Sequence, residues 1–113
     1  MEERREFQRS TFHLKTELIL EAERRTISLL RTNISFGGIG GYTRDLVKTG
    51  DAVLVRIYFS QRSGEEKAET VSGNIAWCKQ DGNFVALGIR FKTLHSDEHP
   101  LLISYLQYAD QFD

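Results

Sequence analysis

Two short segments carry residues whose types and spacing suit recognition of an anion and a base. The first is RREFQR, Arg4 to Arg9, which sets three guanidinium groups close together. In an extended segment positions four apart point to the same side, so Arg5 and Arg9 can face one ligand about 13 Å apart at ~3.3 Å per residue. A guanidinium binds phosphate through paired hydrogen bonds, reads O6 and N7 of guanine, and stacks on a base. The competing account is a solvated charged terminus, because Glu2, Glu3 and Glu6 stand beside the arginines.

The second segment is NISFGG, Asn33 to Gly38. Asn33 and Ser35 are two apart at the end of an expected strand, so their side chains share a face. An amide and a hydroxyl offer donors and acceptors to a base edge or a phosphate. Gly37, Gly38, Gly40 and Gly41 permit positive φ and let a ligand come close to the backbone. Here the competing account is a glycine-rich barrel turn without a ligand.

Other reactive residues do not assemble into a catalytic set. Cys78 has no histidine partner in sequence and reads as a structural thiol. His95 and His99 are four apart and can hold one edge of a metal, but no cysteine or acidic set completes the shell. Ser35 lies in no G-x-S-x-G elbow, and no carboxylate pair stands out as an acid–base dyad. No enzyme activity, metal or cofactor is expected. Trp77 presents a π face on which a base can stack, or it serves as packing at the barrel rim.

The elements that must position these groups are strands. From Phe12 the residues alternate: Phe12, Leu14, Thr16, Leu18, Leu20 and Ala22 on one face, His13, Lys15, Glu17 and Glu21 on the other. A turn around Glu23 and Arg24 leads to a strand from Thr26 to Ile34. Beyond the glycine segment come strands over Ala52–Phe59, near Ala68–Cys78 and over Phe84–Phe91, the last two joined by an Asp81-Gly82-Asn83 hairpin. At the end, Ser96 or Asp97 can cap a helix, Pro100 suits its first turn, and Leu102, Tyr105, Leu106, Ala109 and Phe112 recur at helical spacing. The fold class expected is all-β with a terminal helix: an antiparallel β-barrel of five to six strands and a C-terminal helix over about 97–112. Residues 1–10 read as a flexible arm, and 11–113 as the barrel with its helix.

Composition narrows the partners. The 113 residues suffice for one domain, with 40% hydrophobic and 27% charged residues. A net charge of −1 lacks the basic excess of proteins that bind nucleic acid by releasing counterions. No stretch approaches the ~18 apolar residues of a membrane span, and MEERREFQRS is not a signal peptide. A single cysteine suits a reducing compartment, so the cytoplasm is the expected location.

Taken in order, Arg5-Glu6-Phe7-Gln8-Arg9 and Asn33-Ile34-Ser35-Phe36-Gly37-Gly38 resemble the PilZ domain family, whose bipartite signature is RxxxR followed by (D/N)xSxxG on a β-barrel. The resemblance continues at VSGNIAWC and GIRF, where Gly88 and Phe91 match a late strand pair, and so covers nearly the whole chain. It implies a six-stranded barrel that binds the bacterial messenger cyclic di-GMP. Arg5 and Arg9 would bind phosphate and guanine, Asn33 and Ser35 would contact base or phosphate, and Gly38, with Gly37 beside it, would shape the loop; Trp77, on its own π face, and Gly88 are further candidates to border the ligand. Arg4 adds a third guanidinium, which in similar proteins goes with two stacked ligand molecules. Asn33 stands where many members carry Asp; an amide accepts less strongly from guanine N1 and N2, which bears on affinity. A protein partner would read the signal, with a monomer as the favoured state. The alternatives are a PilZ-fold adaptor working through protein contacts with weak or no nucleotide binding, and a small barrel for single-stranded nucleic acid.

Overall fold

Alternation sorts each strand into an inner and an outer side. In β1 (Thr16–Leu20) residues Thr16, Leu18 and Leu20 are buried, and in β4 (Ala52–Ser60) so are Val53, Val55, Ile57 and Phe59. The computed structural model describes residues 14–110. With β2 (Arg25–Ile34), β3 (Gly38–Thr43), β5 (Glu66–Asp81) and β6 (Phe84–Phe91), these strands close into an antiparallel barrel ordered β1-β2-β3-β6-β5-β4. Short β1 completes the ring: Leu18 pairs with Ile27 on β2 and with Val55 on β4. Inward side chains from every strand, among them Ile39, Val71, Ile75 and Leu87, fill the interior. Among the described residues no helix is long and apolar enough to cross a membrane.

Two bulges break the regular ladder. On β2 the register shifts between Leu30 and Asn33, and Arg31 adopts φ 51° there. On β5 it shifts between Ile75 and Trp77, leaving Ala76 as the extra residue. Bulges re-aim the side chains that follow them. Asn33 and Trp77, the next residues in register, are both exposed.

The glycine segment is not the turn its composition suggests. Gly38–Thr43 is a full barrel strand, paired with β2 on one side and β6 on the other. Nor does it use positive φ, since the left-handed glycines among the described residues are Gly50, Gly64 and Gly82. What Gly38 supplies is close approach: a Cβ there would overlap the Ile89 carbonyl of β6.

Both ends of the chain also differ from expectation. The first strand runs from Thr16 to Leu20 rather than from Phe12 to Ala22; Ala22 lies exposed in the turn, and Phe12 and His13 are outside the described residues. The helix, α1 (Pro100–Asp110), starts three residues later than about 97. Neither Ser96 nor Asp97 caps it. Instead the buried carboxylate of Glu69 on β5 accepts the N–H groups of Leu101 and Leu102, each at 2.8 Å. Those N–H groups have no partner within the helix, so a carboxylate there also suits the helix dipole. Buried His99 completes the joint. Its Nδ1 accepts the His95 N–H at 3.0 Å, which leaves Nε2 to donate to the Thr70 carbonyl at 2.9 Å. Leu102 and Leu106 then enter the core.

Candidate functional site

Four residues stand in one row across the outer wall of the barrel. Asn33 on β2 pairs with Gly40 on β3, Gly40 with Gly88 on β6, and Gly88 with Trp77 on β5. At about 4.8 Å between strands the row spans roughly 14 Å. Its two central members lack side chains: Gly40 is bare backbone beside Asn33, and Gly88 lies beneath the Trp77 ring. The result is a shallow trough with a glycine floor, an amide at one end and an indole at the other.

Trp77 partly closes that trough. It is 50% exposed, and its ring covers Gly88: a Cβ on Gly88 would stand 2.8 Å from Cε2 and 3.0 Å from Cδ1 of the indole. The flat ring therefore needs a glycine beneath it. Its position is fixed by the Ala76 bulge, without which Trp77 would fall on the other face of β5.

Ser35 lies at the same end as Asn33, in the turn between β2 and β3. Its N–H donates to the Gly38 carbonyl at 2.9 Å, and its hydroxyl accepts the Gly37 N–H at 3.3 Å. The Phe91 N–H donates to the Gly37 carbonyl at 2.9 Å, which ties this turn to the end of β6. Ser35 and Asn33 are both exposed. The structure thus brings Asn33, Ser35, Gly37, Gly38, Trp77 and Gly88 onto one face. Arg4, Arg5 and Arg9 lie outside the described residues.

Sequence reasoning passed over the cations of this face. Arg90 pairs with Gly38 on one side and Asn74 on the other, one row from the Asn33–Trp77 line. Exposed Arg90 and Lys92 line a recess of about 450 Å³ with Asn74, Ile75, Ala76 and Phe91. Period-two spacing from Gly88 was the signal that could have found them, since Arg90 and Lys92 must share its outward side. At the opposite margin Arg31 lines a second recess of about 410 Å³ with Leu30, Tyr42, Asp81 and Phe84, and the Arg44 guanidinium lies 5.2 Å from the Phe84 ring centre. On the far wall Glu17 of β1 accepts the Tyr58 hydroxyl at 2.7 Å and lies 3.9 Å from Arg56. A net charge of −1 therefore coexists with a locally positive face.

The remaining candidates have structural duties. Cys78 is half-buried, its Sγ 3.6 Å from both Thr49 Oγ1 and the Val47 carbonyl. His99 is committed to the helix joint, and among the described residues no three His, Cys, Asp or Glu side chains converge as metal ligands.

Comparison with known proteins bears on the same chain segments. No curated protein is similar enough in sequence to match. Among solved structures, the inhibitor of motility MotI/DgrA of Bacillus subtilis is similar in fold, with a TM-score of 0.65 at 18% identity. That likeness covers 87% of this chain and 46% of the other, so the chain spans about half the length of the solved protein. The family model described as PilZ domain matches residues 3–108. With that match over nearly the whole chain and a closed six-stranded barrel ending in a helix, the chain belongs to the PilZ domain family.

Proposed function

We propose that this chain is a receptor for cyclic di-GMP, a binding module and not an enzyme, and that the ligand lies on the outer face of β2, β3, β6 and β5. The observation that carries the reading is the row Asn33–Gly40–Gly88–Trp77. A guanine needs a flat apolar surface to stack on and hydrogen-bonding groups at its edge. Trp77 offers the first, Asn33 and Ser35 the second, and Gly40 between them admits a ligand to the backbone. Membership of the PilZ family supports the choice of ligand.

In this reading Arg5 and Arg9 contribute phosphate and guanine contacts, Arg4 favours a second stacked ligand molecule, and Gly37 and Gly38 keep the β2–β3 turn narrow. Ligand draws the segment carrying these arginines against the face, and a partner protein reads the new surface. The test is calorimetric titration with cyclic di-GMP, with GTP and cyclic di-AMP as controls. Saturable binding of cyclic di-GMP with clear preference over both is expected. No saturation at high micromolar ligand would leave a protein-contact adaptor as the better account.

A further inference from the structure

The Asn33–Trp77 row accounts for a base but supplies no charge, whereas a cyclic dinucleotide carries two phosphodiesters. We propose that Arg90, with Lys92 beside it, is the phosphate-contacting edge of this face, formed by the barrel itself. The inference rests on the functional reading above and adds to it a residue outside both signature motifs.

The register makes the case. The ladder neighbours of Arg90 are Gly38 and Asn74, and neither is a carboxylate. Gly38 has no side chain and packs directly against the β6 backbone at Ile89 and Arg90, so no side chain of its own stands between Arg90 and the Ser35 turn. On the other flank the Asn74 amide donates one N–H to the Gly50 carbonyl at 3.3 Å, and Asn74 lines the recess. Two residues on, Lys92 points to the same side, and its N–H donates to the Ser72 carbonyl at 2.9 Å, fixing the end of the ladder. Among the described residues neither cation has a carboxylate within ion-pair distance, in contrast to Arg25, which is held by Glu23 at 3.0 Å and Asp45 at 2.9 Å.

Chemistry distinguishes this pair from an ordinary solvated surface. The Phe91 N–H to Gly37 carbonyl bond holds the Ser35 turn against the residue next to Arg90. A guanidinium, a serine hydroxyl and an asparagine amide therefore border one continuous patch in which Gly38, Gly40 and Gly88 carry no side chains. A phosphodiester bridging from a base on Trp77 toward Ser35 would pass in front of Arg90. The planar fork suits two phosphate oxygens at once, which an ammonium cannot match.

The experiment is calorimetric titration of the full 113-residue chain with cyclic di-GMP, comparing Arg90→Ala, Arg90→Lys, Lys92→Ala and Asn33→Ala, with Lys79→Ala as a control on the neighbouring row. Arg90→Ala should bind tenfold to a hundredfold more weakly, Arg90→Lys should recover part of the loss, and Lys79→Ala should stay within twofold. In the unsubstituted chain the Arg90 Nε–Hε resonance should shift on ligand addition, a readout that does not depend on any variant folding. If Asn33→Ala weakens binding while Arg90→Ala stays within twofold and the resonance does not move, the functional reading stands and the Arg90 assignment is overturned. If the unsubstituted chain does not bind, both are overturned together.

Discussion

Trp77 and Gly88 form a cross-strand pair in which the indole of one rests where the side chain of the other would be. The pair joins the floor of the candidate site to its stacking surface. Trp77 is also the single tryptophan of the chain, so its fluorescence reports on the site alone.

A Gly88→Ala substitution should therefore lift the ring off the strand. Trp77 is half exposed and can swing outward, so the cost should stay near the ~1 kcal/mol end of overpacking effects. Emission should move to longer wavelength and binding of cyclic di-GMP should fall several-fold. Unchanged emission would show that the wall gives way instead of the ring.

Ligand binding to the unsubstituted chain should change Trp77 emission in proportion to occupancy and reduce its quenching by acrylamide. A calorimetric isotherm that saturates while the fluorescence stays flat would place the base elsewhere on the face.

Loss of a single polar group at the other end of the row should weaken binding without unfolding the protein, since Asn33 and Ser35 are exposed. Asn33→Ala should cost several-fold to tenfold and Ser35→Ala less, because the Ser35 hydroxyl already serves its own turn. Arg5→Ala or Arg9→Ala should cost tenfold to a hundredfold if a charged hydrogen bond is lost. The neutral comparison is Arg24→Gly in the β1–β2 turn, because φ 52° there suits glycine and would strain alanine. Equal losses at Arg24 and Arg9 would mean that the site is misplaced.

The helix joint makes a prediction about stability alone. Glu69→Ala leaves two helix N–H groups, one of them buried, without an acceptor and should destabilise by about 1–3 kcal/mol. Glu69→Gln keeps one carbonyl oxygen and should cost less. Urea titration measures both, and cyclic di-GMP affinity should stay within twofold, since Glu69 faces the helix and not the trough.

Proteolysis tests the proposed ordering. Cyclic di-GMP should slow tryptic cleavage after Arg4, Arg5 and Arg9 while leaving cleavage after Arg62, in the connection between β4 and β5, nearly unchanged. Equal protection at both places would point to global stabilisation instead.

Much of this was legible in the residues, and what was hidden has a common cause. Strands such as β4 show themselves because inner and outer residues alternate without interruption. Asn33 and Ser35 were placed on one face by the same rule. By contrast β3 was concealed by its own glycines, which carry no side chain through which a two-residue period could show. The start of α1 is hidden because its cap comes from Glu69, far upstream on β5, and local sequence has no way to announce an acceptor that arrives through tertiary structure. Arg90 is intermediate: period two along β6 puts it on the outer side with Gly88, but having Gly38 and Asn74 beside it is a matter of strand order and register. Relationships within a strand can be read along the chain, and those between strands need the fold.

Closure of the barrel limits how another protein can recognise this one. Every strand has a neighbour on both sides over part of its length, so main-chain N–H and C=O groups are left unpaired only where the halves of β2 and β5 overhang their neighbours. Partners that dock by adding a strand to a sheet, with affinity drawn from the peptide backbone, find no full-length edge among the described residues, only these overhangs. Recognition then falls mainly on side chains of the outer wall, on the helix, or on the segments flanking the barrel. Since side chains change by single substitutions while the ladder beneath them stays intact, relatives with the same scaffold can diverge in their partners without rebuilding the fold.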